Sequence, residues 1–205
     1  CRIIYIYIII MNTKDFRLIF FFSIFSLFSF GQIEKKFSFL HLTGQSNYFF
    51  DKELKYNLIP KVADSFDSMR ISALSEGIEI KIISSYRSFD HQVKIWNDKI
   101  SGKRMILDDS SKPITHEDFS AWEKIQAILR WTALPGTSRH HWGTDFDVYD
   151  ANALIPNYRV QLMPSEYIGD GIFSDFYAWL MESIGPSGTY KSYFFQPYAI
   201  DNGGI

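Results

Sequence analysis

Cysteine is almost missing from this sequence. Of 205 residues only Cys1 carries a thiol, which excludes a disulfide framework and any thiolate metal cluster. An excess of charge of one sign is missing too: the formal net charge is −2, without the electrostatic footprint of a nucleic-acid binder. There is no internal repeat, no low-complexity tract and no long Gly/Ser/Pro linker after Gln32, so residues 32–205 read as a single domain. No apolar run reaches the ~20 residues a membrane-spanning helix needs. Ile3–Ile10 and Leu18–Phe30 are apolar, but Asn12, Lys14, Asp15 and Arg17 separate them. What the chain does have is aromatic residues, 18% of the total, far more than a chain without a core carries.

The first 31 residues read as upstream sequence plus an export signal. Residues 1–10 precede Met11. Lys14 and Arg17 then give a positive n-region, Leu18–Phe30 an apolar h-region, and Ser29-Phe30-Gly31 a small-residue site with cleavage expected after Gly31. The expected destination is outside the cytoplasm, periplasmic or extracellular, with membrane contact only if the signal segment stays uncleaved.

Residues 32–58 read as an irregular arm. Pro60 suits the first turn of a helix whose inner face carries Val62, Phe66, Met69 and Ala73, with Gly77 as its stop. Ile78–Ile83 alternates and is β-branched, a strand. Ser88 can cap a second helix with Phe89, Val93, Trp96 and Ile100 inward. A surface loop over 101–114 follows. Thr115 with Asp118 then caps a third helix lined by Trp122, Ile125, Leu129 and Thr132, closed by Pro135-Gly136. Thr144–Tyr149 reads as a strand, 150–171 as a long loop, and Phe173, Phe176, Leu180 and Ile184 as the inner face of a last helix ending at Gly185. Tyr193–Tyr198 reads as extended. Helices and strands without regular βαβ alternation predict an α+β fold.

Chemistry concentrates in two segments. Pro135-Gly-Thr-Ser-Arg-His-His-Trp-Gly-Thr-Asp-Phe-Asp147 places His140 and Asp147 on either side of Gly143, whose freedom lets the backbone turn sharply. A neutral imidazole and a carboxylate are two of the three protein ligands of a catalytic zinc site; the bland reading is a solvated loop, which an isolated His…Asp pair favours. On a strand Asp145 and Asp147 share one face, and Phe146 and Val148 the other. In Ser84-Ser-Tyr-Arg-Ser-Phe-Asp-His-Gln92, Arg87 stands at a strand-to-helix junction, able to aim a cation into a cleft. Gln92 lies one turn beyond Ser88, so both could face one ligand. The plain alternative is a surface ion pair for Arg87 and an N-cap for Ser88.

Together, Ser84-x-Tyr86-Arg87-Ser88-x-x-x-Gln92 and Ser138-x-His140-x-x-Gly143-x-x-x-Asp147 resemble the VanY-like D-alanyl-D-alanine carboxypeptidases. These are zinc peptidases of bacterial cell-wall metabolism with the hedgehog/DD-peptidase fold, a small, mostly antiparallel sheet with helices packed around it. The resemblance spans residues 36–205. It implies Zn2+ as cofactor, His140 and Asp147 as its first two ligands, Arg87 as the stabiliser of the oxyanion, and Gln92, Ser138 and Ser88 on the substrate side. It implies a peptidoglycan stem peptide as substrate, with no nucleic acid and no obligate protein partner. His141 and Trp142 have no assigned role and default to packing.

Two departures stand out. Asp145 occupies a position that is often a small residue in the family. The family's Glu-x-Trp-His segment, with its general base and third zinc ligand, is absent from the 205 residues. His41, His91 and His116 lack a spacing that sets them opposite His140 and Asp147. The expectation is that base and third ligand lie beyond Ile205, and that the 205-residue chain by itself does not turn over. An endopeptidase of the same fold and a non-catalytic wall-binding relative are the competing readings.

Overall fold

The computed structural model describes residues 38–46, 53–108, 110–114 and 119–198. The expected signal segment, together with Thr115, His116 and Asp118, lies outside the described residues. In chain order the elements are α1 (Phe39–Leu42), a 3-10 turn (Lys55–Asn57), α2 (Pro60–Ser75), β1 (Ile80–Ser84), α3 (Phe89–Ile100), β2 (Ile106–Leu107), β3 (Pro113–Ile114), α4 (Ala121–Trp131), a 3-10 turn (Arg139–Trp142), β4 (Asp147–Asp150), α5 (Pro164–Tyr167) and α6 (Ser174–Ile184). No helix of the described residues is long and apolar enough to cross a membrane.

Pro60 opens α2 where its missing N–H has no helical partner to lose. Gly77, at φ +85°, closes it by turning left-handed, so that the Ile78 N–H reaches back to the Ala73 carbonyl at 3.0 Å. The chain then enters β1, which pairs antiparallel with β4 in the register Ile80↔Asp150, Lys81↔Tyr149, Ile82↔Val148 and Ser84↔Asp147. The register shifts between Ile82 and Ser84, a bulge at the end of the strand that leads to Arg87. Bulges of this kind re-aim the side chains that follow them.

The main core lies between α2, this strand pair and α6. Phe66, Met69, Ala73, Ile80, Val148, Tyr167, Phe173 and Phe176 are buried there. α5 is held in it by the Tyr167 hydroxyl, which donates to the Val148 carbonyl at 2.8 Å. A second cluster, Trp96, Ile106 and Ile128, joins α3, the β2–β3 hairpin and α4. The candidate site lies where residues of both regions meet.

The α+β class holds, with several local corrections. The third helix begins at Ala121, capped by Ser120 and not by Thr115. The Ser120 hydroxyl accepts from the Glu123 N–H, and the Glu123 carboxylate accepts from the Ser120 N–H. Its buried residue is Ile128, whereas Trp122 and Leu129 are exposed, as is Ile100 on α3. Within the expected loop 101–114 the chain forms the short β2–β3 hairpin, and within 150–171 it forms α5. β1 and β4 each start later than expected, at Ile80 and Asp147, so Asp145 precedes its strand. Tyr193–Tyr198 forms no strand.

Candidate active site

Arg87 is fixed through its backbone on both sides by the 139–142 turn. Its N–H donates to the His140 carbonyl at 3.0 Å, and its carbonyl lies 2.5 Å from His141 Nδ1. The other nitrogen of that ring, Nε2, accepts from the Gly136 N–H at 3.0 Å. Nε2 is therefore unprotonated and Nδ1 carries the hydrogen that goes to Arg87. Burial pushes the His141 imidazole below its ordinary pKa, which favours this neutral form. The side chain of Arg87 is equally constrained: Nη1 donates to Gln92 Oε1 and Nη2 to Ser84 Oγ, each at 2.9 Å. Burial opposes the guanidinium charge most strongly, and Asp147 is the largest opposing influence.

Gln92 is fully buried, with its amide Nε2 donating to the Ala133 carbonyl at 2.6 Å. Both ends of its side chain are used inside the protein, the oxygen on Arg87 and the nitrogen on Ala133. Ser88 caps α3, its hydroxyl accepting from the His91 N–H at 3.2 Å. Ser138 is buried at the start of the 139–142 turn and lines the cavity described below. The Trp142 indole N–H donates to the Leu42 carbonyl at 3.1 Å, and the Arg139 guanidinium lies over its ring.

His140 and Asp147 come together across the Gly143 turn, with Nε2 3.4 Å from Oδ2. Gly143 adopts φ +65°, the left-handed conformation the turn requires. Burial lowers the affinity of His140 for a proton, but Asp147 outweighs it, and the pKa stands above the ordinary value. The separation is long for a charge-assisted hydrogen bond. It matches the roughly 3.3–3.5 Å between two ligand atoms of tetrahedral zinc at ordinary Zn–N and Zn–O lengths. His140 Nδ1 is buried without a hydrogen-bond partner among the described residues. The donor chemistry and spacing therefore fit zinc as a pair of ligands; no group of three or more candidate ligands occurs among the described residues.

Asp145, the extra carboxylate, accepts from Arg139 Nε at 3.2 Å, and the Arg139 guanidinium lies over the Trp142 and Phe195 rings. It is thereby committed to an ion pair beside the ligand pair.

Arg87, Ser138, His140 and Asp147 open on one cavity of about 330 Å³. Its walls also include Thr132, read from sequence only as a helix-face residue, and Lys99, Arg104 and Gln161–Met163, which carry no motif. Lys99 stands near the end of α3 with no motif to mark it. Its partner, Thr132, comes from a different element, which no local pattern announces.

The VanY: D-alanyl-D-alanine carboxypeptidase family profile matches residues 55–196, well over half of the chain. An uncharacterized protein of Haemophilus influenzae is 36% identical over 95 residues, covering 46% of this chain and 60% of its own length. A second from the same organism is 37% identical over 51 residues, covering 25% and 39%. The chain thus spans less than two thirds of the length of either relative. Among solved structures, VanYB in complex with D-alanine-D-alanine is similar at 20% identity and TM-score 0.41, over 61% of this chain and 54% of that one. A variant of the D,D-pentapeptidase VanY from a VanB-type vancomycin-resistance cassette, in complex with Zn(II), gives 21% identity and TM-score 0.36 over 46% and 47%. On the profile match, which includes the Arg87 segment, the 139–142 turn and β4, the chain belongs to the VanY D-alanyl-D-alanine carboxypeptidase family.

Proposed function

We propose that the protein is an exported zinc peptidase that removes a C-terminal D-alanine from the stem peptides of peptidoglycan. The observation that carries this reading is the placing of the His140–Asp147 pair, at 3.4 Å, in the same cavity as an Arg87 clamped at backbone and side chain. His140 and Asp147 would hold the zinc, which supplies Lewis-acid polarisation of a carbonyl and a more acidic water when bound. Arg87 spends two of its five N–H donors on Gln92 and Ser84. The others are available to a carbonyl oxygen as it gains negative charge, and the clamp spares Arg87 any reorganisation at that moment. Asp145 stays with Arg139, which keeps its charge out of the ligand set.

The 205 residues hold no Glu-x-Trp-His segment. The reading is that such a segment, supplied from outside them, provides the base and the third ligand, and that this stretch alone binds zinc weakly and does not turn over. Sequencing the encoding DNA past the Ile205 codon, then assaying D-alanine release from acyl-D-Ala-D-Ala peptides, tests it. A Glu-x-x-His segment with zinc-dependent release supports the proposal. Its absence, or release that survives His140→Ala, overturns it.

A further inference from the structure

We propose that Lys99 and Arg104 form a carboxylate-binding subsite at the end of the cleft away from the metal pair, taking a free carboxylate of the peptide. The inference rests on the peptidase reading above and adds what the site selects for.

The charges lining the cavity do not cancel in place. Asp145 is paired with Arg139, and Asp147 with His140. Asp147 also supports the charge of Arg87. That leaves Lys99 and Arg104 lining the same cavity, with no carboxylate within 4 Å of either among the described residues. The nearby carboxylate of Asp98 is held by Lys94. Lys99 is partly buried, and among the described residues its ammonium donates to a neutral partner, the Thr132 hydroxyl, at 2.6 Å. Burial, followed by the fields of Arg104 and Arg87, pulls its pKa down to about 8. A cation kept where desolvation and two like charges oppose it is a site that an anion relieves.

The position suits a peptide. Gln92, Trp96 and Lys99 lie on one face of α3, and all three donate to the Thr132–Ala133 strip. Seven residues of helix set Lys99 about 10 Å along that face from Gln92, which orients Arg87. That is roughly two to three residues of extended peptide, less the reach of the lysine stem. Arg104 is exposed at the rim and presents a planar fork able to grip a carboxylate at two points. Two sources have this chemistry: the terminal carboxylate of the peptide, and a carboxylate within the stem, such as that of a γ-linked D-glutamate.

Calorimetric titration of the full-length gene product distinguishes them. One pair of probes is N-acyl-D-Ala-D-Ala and its C-terminal amide. The other is a stem pentapeptide with isoglutamate against the same peptide with isoglutamine. The expected result is a preference of about tenfold for the acid in one pair, as for a charge-assisted bond. The preference should fall to about threefold or less in Lys99→Met and in Arg104→Gln, while the amide affinity stays unchanged. Thermal melts confirm that the variants fold. Equal binding of acid and amide in both pairs, no binding of any probe, or a preference that survives the double variant overturns the subsite. Zinc titration and D-alanine release on the same samples separate the two ideas. Release without discrimination removes the subsite and keeps the peptidase; discrimination without release does the reverse.

Discussion

His141 holds the backbone of Arg87, its Nδ1–H directed at the Arg87 carbonyl oxygen 2.5 Å away. Because the opposite nitrogen accepts from Gly136, one buried ring ties the strand-to-helix junction to the turn that carries His140. Replacing it by alanine strands a carbonyl and an N–H and leaves a cavity. The expected loss for His141→Ala is about 2–4 kcal/mol in chemical denaturation. Glutamine, which offers an N–H donor group and a carbonyl acceptor, should recover part of it. A loss below about 1 kcal/mol would show that the clamp contributes no more than an average hydrogen bond.

Gly44 lets the N-terminal arm approach this ring. A Cβ there would lie 2.4 Å from His141 Nδ1 and 2.9 Å from the Phe89 nitrogen, and φ is +73°. Gly77 is a matched control, with φ +85° and nothing within 4 Å of the corresponding Cβ. Gly77→Ala should cost about 1 kcal/mol from backbone strain alone. Gly44→Ala should cost at least about 2 kcal/mol more, since backbone and a buried ring have to move. Equal midpoint shifts in urea for the two variants would mean that the arm gives way at little cost.

Much of this architecture is legible in the sequence because its signals are local. Pro60 and Gly77 bracket α2, and Ser88 caps α3, by chemistry contained in a few residues. The errors arise where distant contacts decide. Both Thr115–Asp118 and Ser120–Glu123 offer a capping pattern, and the helix takes the one whose Glu reaches back. α5 is too short to show a period and is held by Tyr167 bonding to Val148. Within the site, His140, Asp147 and Arg87 could be picked out by motif. Gln92 has the same motif standing yet points inward, and Lys99 has none. What distinguishes those two is which carbonyl or hydroxyl the 132–133 segment brings alongside, a matter of packing between α3 and the end of α4.

The metal pair and the neighbouring carboxylate should separate cleanly. Asp147 faces His140 Nε2 at 3.4 Å, whereas Asp145 is bound to Arg139 at 3.2 Å. In zinc titrations of the full-length gene product, His140→Ala and Asp147→Asn should each weaken binding by at least about a hundredfold, since each removes a ligand. Asp145→Asn should change it by less than about tenfold, an outer-shell effect at most. A comparable loss in Asp145→Asn would place that carboxylate among the ligands and remove Arg139 as its principal partner.

Lys99 gives the fold a pH dependence of unusual sign. Its folded pKa is about 8 against an ordinary 10.5, because of burial and then the charges of Arg104 and Arg87. Below pH 8 the group is protonated in both states and the folded chain carries the full penalty. Between pH 8 and 10.5 the unfolded chain binds more protons, so stability rises with pH. The tyrosines with raised pKa values, Tyr86, Tyr158 and Tyr167, act in the opposite direction near and above pH 10. The difference between the parent and Lys99→Met isolates the lysine, since the tyrosines contribute to both. A shift of this size corresponds to about 3 kcal/mol at the limit. Some of that is offset by the lost bond to Thr132, so Lys99→Met should be more stable by about 1–2 kcal/mol at pH 7. The gain should shrink toward zero or reverse by pH 10. Urea denaturation at pH 7, 8.5 and 9.5 measures it, and a variant less stable than its parent at pH 7 would show that Lys99 sits there to support the fold. A variant that gains stability while losing its preference for a carboxylate would show the opposite: the fold bears the charge because a ligand needs it.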